Sequence, residues 1–264
     1  MFKKSLSTYL VLVVILSGVI DIVWFLGGEA ATESGISYLL MFMPAIAALI
    51  TKLIYFRKQP VIGVKKCEYI YILESIILPL IYIGIPYGIY WIVEPGSFSG
   101  TLETLGDTPA ISIVIMTVIS LITAFGEEVG WRGFLLNQLS EGYGKKKAII
   151  LNGVIWAVWH WPIIFAGFYI SGISLWYCVP VITIDFMLMT VIMSVLRFES
   201  DSVWPAVTLH GFHNLFDQVI FISLTKADFS NPYLTGEAGI ITIVMLAIIT
   251  LFLVKKQGKC LVEK

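Results

Sequence analysis

The chain is divided into apolar runs of about 20 residues, the length at which a helix crosses the hydrocarbon core of a bilayer. These runs lie at roughly 6–27, 36–56, 68–93, 108–131, 148–169, 172–196, 203–224 and 236–254 on that length rule. They are too long, and too free of alternation, to be strands of a membrane barrel. Of the 264 residues, 58% are hydrophobic and only 13% charged. A soluble domain of that size could not cover itself with polar surface. The expected fold is all-α and polytopic, about eight transmembrane helices in one membrane domain over 1–264. Internal repeats, low-complexity stretches and long linkers are lacking.

Charge orients the spans. Lys and Arg gather in the short cytoplasmic loops of membrane proteins. With both termini cytoplasmic, Lys3, Lys4, the 52–66 group, Arg132, Lys145 to Lys147, Arg197, Lys255, Lys256, Lys259 and Lys264 fall inside. Of the 17 Lys and Arg residues, only Lys226 falls outside. The outer loops carry Glu29, Glu33, Glu94, Glu103, Asp107, Asp228 and Glu237 instead. The first apolar run, after Met1-Phe2-Lys3-Lys4, is long for a signal peptide and has no small-residue cleavage site. A retained first helix is expected, in a bacterial plasma membrane. No basic stripe exists for nucleic acid. Cys67, Cys178 and Cys260 have no metal-type spacing and read as ordinary membrane or loop residues.

Ionisable groups inside apolar runs are expensive and mark chemistry or ion handling. The fourth run ends in Gly126-Glu127-Glu128-Val129-Gly130-Trp131-Arg132. Glu128 and Arg132 are four apart, on one helix face, where they can pair. Glu127 is then left free to act as a general base. Gly126 and Gly130 form a small-xxx-small face for a close neighbour. The fifth run carries Trp156-Ala157-Val158-Trp159-His160-Trp161-Pro162, with His160 roughly 18 Å from the cytoplasmic start at the helical rise. The seventh carries His210 and Asn214 on one face, with His213 and Asp217 nearby in supporting or packing positions. These groups can converge on one cavity, expected to open to the cytoplasm.

The ordered set Glu127-Glu128-xxx-Arg132, Trp156-xxx-His160 and His210-xxx-Asn214 resembles the CPBP family. That family joins type II CAAX prenyl endopeptidases with Abi, or bacteriocin-immunity, proteins. The resemblance covers a core of about 110–220 and departs from the usual pattern only in Trp156, where phenylalanine is common. It implies an intramembrane endopeptidase acting near the cytoplasmic face on a membrane-tethered or lipid-modified peptide. On that resemblance Glu127 is the base, His160 binds and activates water, and His210 and Asn214 stabilise the oxyanion. Glu128 and Arg132 support the geometry.

Hydrolysis by activated water suits the residue types, because none of the three motifs holds a serine or cysteine nucleophile. No cofactor is favoured. Zinc is the alternative, with Glu127, His160 and His210 as its ligands, though no HExxH pairing is present. Two other readings compete: a non-catalytic immunity or scaffold protein, and an ion-coupled transporter, which would ordinarily show a repeated pair of broken helices.

Overall fold

A computed structural model describes residues 2–170 and 172–257. Lys259, Cys260 and Lys264 lie outside the described residues. The chain forms ten α-helices among the described residues: α1 (Phe2–Glu33), α2 (Ile36–Met41), α3 (Met43–Tyr55), α4 (Tyr69–Val93), α5 (Pro109–Glu128), α6 (Leu136–Tyr143), α7 (Lys145–Phe165), α8 (Leu175–Ser200), α9 (Trp204–Leu215) and α10 (Ile240–Gln257). Six helical stretches are long and apolar enough to cross a membrane by length and composition. This is an all-α polytopic membrane protein. Its lipid-facing belt is visible in large side chains that no soluble protein would leave bare: Val14 is 71% exposed, Leu26 79%, Ile92 79% and Trp176 93%.

Three expected spans differ in detail. The second is split at Phe42, because Pro44 occupies the first turn of α3, where its missing N–H costs nothing. Pro44 therefore marks a break between helices, whereas Pro79, Pro86, Pro162 and Pro180 do lie inside helices. The fourth span does not stop near residue 131. It continues through a π-helical segment, Val129–Leu135, into α6, and ends where Gly144 takes a φ of 79°. The fifth span runs from Lys145 to Phe165, earlier than expected at both ends.

The two ends of the bundle are chemically distinct. One end collects the Lys/Arg loops and is tied shut. Val203 N–H donates to Gly63 O at 2.9 Å, Ser202 Oγ to Lys65 O at 2.6 Å, and Asn137 Nδ2 to Val61 O at 3.2 Å. Lys65 pairs with Asp201, and that hydrogen bond is the main reason the Asp201 carboxyl is held below the usual carboxylate range. The other end carries the 94–108, 166–174 and 224–239 loops, joined by Lys226 N–H to Ser97 O at 2.8 Å and Tyr90 Oη to Phe229 O at 2.6 Å.

Apolar surface cannot drive helices together inside lipid, so close packing must. Glycines supply it where the central helices meet. A Cβ on Gly130 of the π segment would stand 2.4 Å from Pro44 Cβ. On Gly126 it would stand 2.8 Å from Met41 O, so the small-xxx-small face serves α2 and α3 as expected. Gly211 brings α9 against Leu121 and Ser120 of α5, and Gly153 brings α7 against Met187 and Thr190 of α8. Gly130→Leu should therefore lower thermal stability in detergent by an amount at or above the ~1–3 kcal/mol typical of overpacking. Gly18→Ala, at a site with nothing within 4 Å, should leave the melting temperature unchanged within error.

Candidate active site

Glu128 sits in the continuous α5–π–α6 rod with no solvent exposure. It is therefore part of the interior and not a solvated helix end. Its Oε1 accepts from Arg132 Nη1 at 2.9 Å and from His210 Nδ1 at 2.8 Å. Arg132, equally buried, also donates from Nη2 to Thr190 Oγ1 at 2.7 Å and lies 4.1 Å over the Trp156 ring. One carboxylate oxygen thus ties α5, the π segment and α9 together, and the guanidinium reaches on to α7 and α8. A buried charge pair persists only with such added partners. The π turn is the local device: it widens the helix beside the acid pair, as π segments commonly do at functional sites.

Glu127 is held differently. Its Oε2 accepts from two indole N–H groups, Trp156 at 2.8 Å and Trp131 at 3.3 Å. These are neutral donors, so the two neighbouring carboxylates occupy unlike environments. Glu128 belongs to a cation. Glu127 lines a cavity of about 740 Å³.

His160, His210 and Asn214 line the same cavity. His160 Nδ1 lies 2.9 Å from Trp156 O. A carbonyl only accepts, so Nδ1 carries the proton and Nε2 presents a lone pair. His210 uses Nδ1 on Glu128, which leaves Nε2 for the cavity. The Trp156 ring stands between the imidazoles, its centroid 5.6 Å from each. Phe186 closes on His160 at 4.2 Å between centroids. All six expected site residues are therefore joined, Glu127, His160, His210 and Asn214 at the cavity and Glu128 and Arg132 behind it. Glu127, His160 and His210 share the hollow, but among the described residues no three His, Cys, Asp or Glu side chains stand close enough to hold a metal ion.

The expectation that the cavity opens at the Lys/Arg end is overturned. His160 lies 5 residues from the end of α7 at Phe165, about 8 Å by helical rise, and much farther from Lys145. The lining also includes Thr32 and Ser37, Phe168 to Ile170, Ser230 to Pro232 and Thr235 to Ala238, all at the opposite, acidic end.

His213 and Asp217 have partners that sequence reasoning did not find. His213 Nε2 is 3.1 Å from Glu237 Oε1, and its Nδ1 is 3.0 Å from Tyr82 Oη. Glu237 also accepts from Gln218 Nε2 at 3.0 Å and from Tyr169 Oη. The 231–239 loop folds this acid inward, with Gly236 at a φ of 78° beside Asp217. Nothing in the spacing of Glu237 separates it from the other loop acids. Asp185, fully buried on α8, is a further acid inside an apolar run. Removing Arg132 while keeping Glu128 should be severe: Arg132→Met should cost about 3–5 kcal/mol, the usual penalty for an uncompensated buried charge. The double variant Glu128→Gln/Arg132→Met should regain part of that loss in a detergent unfolding assay.

Comparison with known proteins agrees with the motif resemblance. Residues 109–216, running from the start of α5 to the end of α9, match a family model described as type II CAAX prenyl endopeptidase Rce1-like. A protein named CAAX prenyl protease 2, from Methanococcus maripaludis, is 29% identical over 180 residues, covering 59% of this chain and 64% of the relative. The chain thus spans less than two thirds of that relative's length. The matched stretch contains every helix that supplies an expected site residue, and over it the chain is similar to the type II CAAX prenyl endopeptidases.

Proposed function

We propose that this protein is an intramembrane endopeptidase that hydrolyses a peptide bond with a water activated by Glu127 and His160. The observation that carries the reading is the unlike treatment of the two acids. Glu128 is consumed by Arg132 and His210, while Glu127 keeps an oxygen for the cavity. Environments that set neighbouring carboxyls apart are how one site assigns separate roles.

In this mechanism the scissile carbonyl enters between α5, α7 and α9. His160 Nε2 accepts a hydrogen bond from water and orients its lone pair toward the carbonyl carbon. Glu127 takes the water proton as the C–O bond forms. Negative charge then develops on the carbonyl oxygen. His210 donates to it from Nε2, as an imidazolium whose Nδ1–H is held by Glu128, and the Asn214 amide donates beside it. When the tetrahedral intermediate collapses, the C–N bond breaks and Glu127 returns its proton to the leaving amine. Arg132 stays out of the reaction and fixes Glu128, which in turn fixes the orientation of His210.

The substrate class this supports is a membrane-associated peptide. The relative's name points to prenylated C-terminal peptides, and the aromatic lining of Trp156, Trp159, Tyr169 and Phe186 would take any apolar flank. Glu127→Gln should lower kcat for a membrane-tethered peptide by at least ~10²-fold, the typical worth of a general base. Its melting temperature should stay near that of the parent, because glutamine keeps an oxygen for the indole donors. Equal turnover in both proteins would remove Glu127 from the role of base. His160→Ala should likewise lower kcat more than it raises KM, since its task lies with water and not with substrate binding.

A further inference from the structure

The cavity has one open end and one sealed end. Its mouth is formed by Thr32 in the last turn of α1, Ser37 in the first turn of α2, Phe168 to Ile170 after α7, and Ser230 to Pro232 with Thr235 to Glu237 before α10. Toward the Lys/Arg end the floor is Glu128, Arg132 and Thr190, each with no exposure. Beyond them lie Leu135, Leu136, Ile192, Met193 and Leu196, also at 0%, with Ser194, Gln138 and Arg197 buried among them. This layer is closed to solvent, and beyond it the Lys65–Asp201 and Gly63–Val203 ties close the surface. A peptide cannot pass that way without unpacking the core. Lys and Arg mark the cytoplasmic end, and among the described residues only Lys226 belongs to the mouth end.

The cavity wall is also rich in acids. Glu127, Asp217 and Glu237 line it, and no Lys or Arg does among the described residues. Asp217 is 7% exposed, and its Oδ1 lies buried with no hydrogen-bond partner among the described residues. Glu29 and Glu33, in the last turns of α1, and Asp228 in the 224–239 loop stand exposed. Aromatic faces fill the remainder. A cation with an apolar stem is what carboxylates and aromatic rings together attract.

We infer that the site is entered from the extracytoplasmic side of the membrane and accepts a cationic, apolar peptide segment presented there. The word peptide rests on the endopeptidase reading above; the sidedness rests on the packing and the charge distribution alone.

Two arms test this on the full chain. In the first, Cys67, Cys178 and Cys260 are replaced by serine, and a single cysteine is restored either at position 67 or as Ser230→Cys at the mouth. A membrane-impermeant maleimide is added to intact spheroplasts and to lysed ones. Ser230→Cys should be labelled in both, and Cys67 only after lysis. The reverse pattern would overturn the sidedness whether or not the protein cleaves anything. In the second arm, right-side-out vesicles receive an impermeant quenched fluorogenic peptide, lysine-bearing or glutamate-bearing, with Glu127→Gln as the blank. Cleavage without permeabilisation is expected, with kcat/KM about tenfold higher for the lysine peptide. Cleavage only after lysis would refute entry from outside, and equal or reversed charge preference would refute the cationic substrate. Absence of Glu127-dependent cleavage in detergent as well would count against the endopeptidase reading and with it the cationic-peptide claim, while the labelling arm still decides the side.

Discussion

The shared hydrogen bonding of Glu128 Oε1 is the constraint on which the centre of this protein depends. Arg132 and His210 both donate to that one oxygen in a region with no solvent. Charges are retained there because each meets a partner: beyond Glu128, the guanidinium reaches Thr190 through Nη2 and the Trp156 face through its plane. The consequence is mechanical as much as electrostatic. Five segments of chain, α5, its π continuation, α7, α8 and α9, must keep their relative heights for these contacts to exist. His210 therefore cannot turn, and its second nitrogen is aimed at the cavity.

Close approach makes that arrangement possible. Gly130, Gly211 and Gly153 sit where the π segment meets α3, α9 meets α5 and α7 meets α8, and at each a side chain would collide with its neighbour. In lipid this fit replaces the hydrophobic drive that would hold a soluble core. The π segment adds the remaining freedom, letting the rod bend its polar residues inward without breaking. Fold and site thus share their causes: the same residues that allow tight packing put Glu127 beside Trp156 and His160.

A second polar group lies nearer the mouth. Glu237, His213, Tyr82, Tyr169 and Gln218 form one hydrogen-bonded set. It attaches the 231–239 loop to α4, α7's outgoing loop and α9, and so shapes the entrance. The carboxylate hydrogen-bonded to His213 comes from a loop acid that resembles its neighbours in sequence. That is why His213 could be placed in a supporting role from spacing, while its partner could not be named.

Much was legible beforehand. Long apolar runs dictate membrane helices, because an unpaired backbone is intolerable in hydrocarbon. Glu127, Glu128, Arg132, His160, His210 and Asn214 stood out because polar groups in such runs need a reason, and helical spacing already paired Glu128 with Arg132. The opening of the cavity was not legible in the same way. Depth along a helix says how far a residue lies from each end, yet not which end its neighbours seal. That was decided by the packing of Leu135, Leu136, Ile192 and Leu196 beneath the acid pair, and by loops that close over one end and part at the other. Sequence alone determined which residues had to escape lipid; tertiary structure decided where the hollow they share meets water, because that depends on contacts between segments far apart in the chain.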